Sequence, residues 1–153
     1  MTLIPAFAMM LSALGPLAPA PATTPAAAQT APAGAALTLS FTGLKTPSGR
    51  IMGVLFDSEA AYRTRGAPAH QVVVDVTGAE ARATVSGLKP GRYAMQVFHD
   101  LDGDEKLSFN PFGMPAEPFA FSNNARGMMG PASWAEASFE VGTAGAQQTI
   151  AID

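Results

Sequence analysis

The chain contains no cysteine. This excludes disulfides, thiol nucleophiles and zinc–thiolate sites, so a small domain must be held by packing, or by packing plus a hard cation. Charge is also scarce. Asp, Glu, Lys and Arg make up 14% of the 153 residues, against roughly a quarter in ordinary soluble domains. The nine Lys and Arg residues are scattered from Lys45 to Arg126. A nucleic-acid surface needs clustered cations, and this chain, with a net charge of −3, has none. Long apolar runs are missing too. The most apolar stretch, Leu3 to Leu17, is interrupted by Pro5, Gly15 and Pro16 and falls short of the ~20 residues that a transmembrane helix needs.

What that stretch does fit is the apolar region of a secretory signal. Ala26-Ala27-Ala28 before Gln29 satisfies the small-x-small cleavage rule, although no Lys or Arg precedes Lys45 to form a basic leader. The expected organisation is a signal peptide over 1–28, a Pro/Ala-rich linker over 29–36 and one folded domain over 37–153. The expected location is the periplasm or the outside of the cell, with no transmembrane span in the mature protein. The Pro/Ala/Thr composition up to Ala36 cannot bury enough apolar surface to fold.

From Leu37 the pattern changes to period two. Leu37-Thr38-Leu39-Ser40-Phe41 alternates apolar and polar, as a half-buried strand does. Ile51 to Phe56 is nearly all apolar, and Gln71 to Val76 is rich in valine. Ala81 to Val85 alternates again, and Tyr93 to His99 follows a Pro90-Gly91 turn. Trp134 to Val141 and Gln147 to Ile152 complete seven expected strands. No amphipathic helix of three turns interrupts them, so the expected class is an all-β antiparallel sandwich. Its crossover, Asp100 to Ser133, is too long for an ordinary connection.

The sharpest chemical feature is His99-Asp100-Leu101-Asp102-Gly103-Asp104-Glu105-Lys106-Leu107-Ser108. Four of the twelve acidic residues fall between Asp100 and Glu105, and that density calls for a cation. Calcium takes six to eight oxygens from carboxylates, carbonyls and water. Asp100, Asp102 and Asp104 would supply positions 1, 3 and 5, the Lys106 carbonyl position 7, and Ser108 position 9. The run is not an EF-hand, because Glu105 stands where that loop needs Gly and Pro111 where it needs Glu. The competing reading is a solvated turn in which the Asp side chains cap their own backbone.

The crossover also carries Phe109, Phe112, Phe119, Phe121 and, at its end, Trp134, which argues for order. Its polar centre, Asn123, Asn124 and Arg126, forms with His99 and Trp134 a candidate ligand surface. The competing reading makes these turn and core residues. His99 has no second histidine near it in sequence, and Ser122 lacks the G-x-S-x-G setting of a nucleophile elbow. The Met128-Met129 pair belongs to no repeated Met motif that would indicate copper.

Leu88-Lys89-Pro90-Gly91-Arg92-Tyr93 resembles the corresponding turn of transthyretin-like and carboxypeptidase-regulatory-like sandwiches, which implies an Ig-like or transthyretin-like architecture. Several further segments extend the likeness: Phe56-Asp57-Ser58, Phe98-His99-Asp100 with the acidic loop, Gly113-Met114-Pro115, Phe121-Ser122-Asn123-Asn124-Ala125 and Gly130-Pro131-Ala132-Ser133-Trp134. Together they resemble a bacterial exported family known as domain of unknown function 2141. That resemblance implies export and fold, and no catalytic residue. The leading expectation is a non-enzymatic binding or structural module with a calcium-ordered loop. The alternative is a metal-assisted hydrolase using Asp100, Asp102 and His99. A purely structural envelope component is a third reading.

Overall fold

The computed structural model describes residues 34–128 and 130–153. The expected signal segment 1–28 and linker residues 29–33 lie outside the described residues. The first strand, β1 (Ala35–Thr42), begins two residues before the expected boundary at Leu37.

Two sheets face each other. The smaller has the order β4-β1-β8, with β4 (Ala81–Leu88) antiparallel to β1 and β8 (Ala146–Ala151) parallel to it. The larger contains β3 (His70–Asp75), β2 (Arg50–Phe56), β5 (Gly91–Asp100) and β6 (Phe119–Phe121) in that order. A last strand, β7 (Phe139–Val141), pairs with Gly91–Tyr93 of β5. The all-β class is as expected. Two details differ from seven antiparallel strands: the described residues form eight strands, and the β1–β8 ladder is parallel, running from Leu37↔Ala146 to Thr42↔Ala151.

The alternation in β1 explains the sandwich. Leu37, Leu39 and Phe41 are fully buried, and they meet Leu88 and Ile150 from their own sheet. Ile51, Leu55, Val72, Met95 and Val97 close the core from the larger sheet. Gly53 lies in the middle of β2, where a Cβ would displace the terminal methyl of Met95. Burying side chains of this size stabilises by roughly 1.5–3 kcal/mol each. The Pro90-Gly91 turn is fixed by Tyr93, whose hydroxyl donates to the Lys89 carbonyl at 2.9 Å, the arrangement of a tyrosine corner. Burial, with Asp57 nearby, raises the pKa of this phenol.

The outer face of the larger sheet carries a second, smaller cluster built by two short helices. α1 (Glu59–Thr64) starts at Ser58, whose hydroxyl accepts from Ala61 N–H. It delivers Tyr62 onto Phe56, with edge-on rings 5.8 Å apart. The Tyr62 hydroxyl donates to the Ala132 carbonyl at 2.9 Å, and burial pushes its pKa up to about 12. α2 (Trp134–Ala137) replaces the first half of the strand expected over Trp134–Val141. The cause is a capping box: Ser133 accepts from Glu136 N–H, and the Glu136 carboxylate accepts from Ser133 N–H. Two orphan donors at the helix start are satisfied at once, and a strand cannot offer that.

Candidate functional site

β5 ends by turning straight into the acidic loop. Its alternation places Tyr93, Met95 and Val97 in the core, and His99 continues that face at 1% exposure. The His99 ring Nε2 lies 2.7 Å from the Ser48 carbonyl. A carbonyl only accepts, so Nε2 carries the proton and donates it. The next residue, Asp100, is fully buried, an uncommon position for a carboxylate.

Backbone donors explain its position. Asp100 Oδ1 accepts from Gly103 N–H at 2.7 Å, and Oδ2 accepts from Glu105 N–H at 3.2 Å. The chain curls around this carboxylate through two residues in the left-handed region, Gly103 (φ 80°) and Glu105 (φ 62°). Gly49, in the β1–β2 turn, lies directly against the Asp100 carbonyl, and a Cβ there would collide with it.

Another carboxylate joins from the middle of the crossover. Glu117, 7% exposed, accepts from Leu101 N–H at 2.9 Å with Oε1 and from Ser108 N–H at 3.1 Å with Oε2. One side chain thereby clamps the beginning of the loop to its end. Carboxylate oxygens of Asp100, Asp102 and Glu117 lie within 4.8 Å of one another. Two oxygens that share a calcium ion at 2.3–2.6 Å can be up to about 4.6–5.2 Å apart, so this spacing suits one ion. Each carboxylate oxygen accepts about two hydrogen bonds. Those of Asp100 and Glu117 each accept one backbone N–H and keep capacity on the side left open. Among the described residues, none of the three forms an ion pair. Arg50 reaches only the rim, where it meets Glu105 at 3.3 Å and Asp75 at 3.5 Å.

Of the five expected ligand residues, Asp100 and Asp102 converge. Asp102 also accepts from Asp104 N–H at 3.2 Å, and the other three expected residues do not join the cluster. Asp104 accepts from Lys106 N–H at 2.8 Å, Lys106 is exposed, and Ser108 binds Glu117 through its N–H and Ala116 through its carbonyl. Glu117 was not among the expected ligands. It lies well past the loop in sequence, between two short segments without periodicity, and only the return of the chain to β6 brings it in.

The expected ligand surface divides into separate places. His99 belongs to the core side of β5. Trp134 sits against Tyr62, with ring centroids 5.7 Å apart, and lines a groove of about 340 Å³ with Arg63 and Arg65. Asn124 and Arg126 line a different groove of about 230 Å³, where Arg126 pairs with Asp153 at 2.9 Å and holds its carboxyl below the usual range. The asparagines form a 3₁₀ turn with Ser122 and both take positive φ, 57° and 52°. Asn123 Nδ2 donates to the Ser138 and Glu136 carbonyls. Asn124 imitates a strand neighbour along the edge of β8: Oδ1 accepts from Ala151 N–H at 2.8 Å, and Nδ2 donates to the Thr149 carbonyl at 3.3 Å. Ser122 is fully buried; its hydroxyl accepts from Met95 N–H and donates to the Ala137 carbonyl.

Residues 39–150 match the family model described as an uncharacterized protein conserved in bacteria (DUF2141). The chain belongs to this family. No curated protein and no solved structure matched the chain. Within the DUF2141 match fall the acidic loop, Glu117 and the asparagine turn.

Proposed function

We propose that the protein is an exported, non-enzymatic β-sandwich module of the periplasm or cell exterior whose acidic loop binds Ca²⁺. The observation that carries this reading is the convergence of Asp100, Asp102 and Glu117 within 4.8 Å without an ion-paired cation among the described residues. Oxygen-only donors of this kind suit a hard cation, with loop carbonyls and water completing the shell. The ion would tie the β5 end, the loop and the Glu117 clamp into one unit, and its contribution is positional. His99 speaks for a module and against a hydrolase: its ring is buried on the core side of β5, so it presents no base to a substrate. An Ig-like, transthyretin-like architecture is supported by the two facing sheets and the Tyr93 corner.

The test is a calcium titration followed by thermal melting. Loops of this type in extracellular modules bind at about 10⁻⁴–10⁻³ M, so 10 mM calcium should add about 1–3 kcal/mol of stability, a shift of several degrees. Asp102→Ala, an exposed position, should fold normally and lose the shift. An unchanged melting temperature in calcium, or an undiminished shift in Asp102→Ala, would sink the proposal.

A further inference from the structure

Between the acidic loop and Glu117 the chain makes a tight hairpin. Phe109 bridges to Pro115, and Ala116 N–H donates to the Ser108 carbonyl at 2.8 Å. At the turn, Asn110 N–H donates to the Met114 carbonyl and Gly113 N–H to the Asn110 carbonyl. The Asn110 side chain finishes the job: its Oδ1 accepts from Phe112 N–H at 2.9 Å and from Met114 N–H at 3.0 Å. Pro111 and Pro115 have no N–H. Every backbone N–H from Asn110 to Ala116 is therefore bonded inside the hairpin or absent.

The side chains on this closed backbone point outward. Phe112 is 87% exposed, Met114 58% and Phe109 51%. No charged residue occurs from Leu107 to Ala116, and the hairpin lines neither groove described above. It is a knob, with apolar side chains that water solvates poorly.

We propose that the Phe109–Met114 tip inserts into the boundary between headgroups and acyl chains of a lipid bilayer. Entry into that region is opposed by charge and by unpaired backbone donors. From Asn110 to Ala116 the hairpin has neither, while it offers two phenylalanines and a methionine to the acyl side. A protein partner would need a matching pocket for a projecting knob, whereas a bilayer deforms around one. Just before the hairpin the exposed carboxylates of Asp102, Asp104 and Glu105 outnumber the exposed Lys106, and this net negative charge repels anionic headgroups, so the surface it takes is zwitterionic. The proposal does not depend on calcium.

The test uses the full chain, phosphatidylcholine vesicles and EDTA. Phe112→Trp places a reporter at the tip, and Trp134 of the unaltered protein is the internal control. Emission from position 112 should shift to the blue on vesicles and be quenched by brominated phosphatidylcholine, with Trp134 unquenched. Adding Met114→Ser should lower the lipid affinity of the tip about tenfold. This readout follows the tip wherever else the chain touches the bilayer. An unquenched Trp at 112, or indifference to Met114→Ser, overturns the proposal. A blue shift that grows with protein concentration without lipid, and no quenching with it, also overturns it and assigns the tip to a second copy.

Discussion

Two polar loops flank β6, and their side chains are used in opposite ways. On one side, Asn123 and Asn124 spend their amides on the Ser138, Glu136 and Thr149 carbonyls and the Ala151 N–H. On the other, Asp100 and Glu117 accept one N–H per oxygen and converge with Asp102. Both loops read as candidate ligand sites in the sequence, the acidic one more sharply. What separates them is convergence and charge: the neutral amides are spent one by one on backbone groups of neighbouring segments, whereas three carboxylates meet within 4.8 Å with no ion-paired cation among the described residues.

The comparison can be broken at either end. Removing the buried acceptor in the first loop should have the largest effect. Asp100→Ala strands the Gly103 and Glu105 donors and should cost about 3 kcal/mol in urea unfolding. A cost under about 1 kcal/mol would mean that this carboxylate does not organise the loop. Beyond the asparagine turn, the chain is held by Tyr62, whose hydroxyl donates to the Ala132 carbonyl. Its folded pKa, about 12, lies above the unfolded value near 10, so its contribution is complete below pH 10 and lost as pH rises from 10 to 12. That loss should be roughly 2–3 kcal/mol, visible as alkaline unfolding that Tyr62→Phe lessens. Asn124→Ala removes two hydrogen bonds to the edge of β8 and should cost about 1–2 kcal/mol. Asn124→Gly should cost less, because glycine accepts the positive φ. Arg126→Ala, which breaks an exposed pair, should leave the melting temperature unchanged.

Much of the fold was legible because alternation is a local signal. Leu37-Leu39-Phe41 and Tyr93-Met95-Val97 each placed a strand and its inward face. β6 was missed because Phe119-Ala120-Phe121 is too short to show a period. Trp134 to Ala137 was misread as strand although the capping-box pattern of Ser133 and Glu136 stood in the sequence. The parallel ladder between β1 and β8 leaves no mark in either segment, since pairing partners are chosen by topology. The acidic loop gave two of the three converging carboxylates. The third, Glu117, was hidden because nothing near it in sequence refers to Asp100, and only the hairpin between them closes the distance.

The parallel β1–β8 ladder also decides how the domain responds to force. Pulling on the chain ahead of β1 and beyond β8 draws the two strands past each other along their length. All six paired positions, from Leu37↔Ala146 to Thr42↔Ala151, are then loaded together in shear. An antiparallel terminal pair would instead open one bond at a time, like a zipper. A protein held at one end and tugged at the other would therefore keep its sandwich until the whole ladder failed at once.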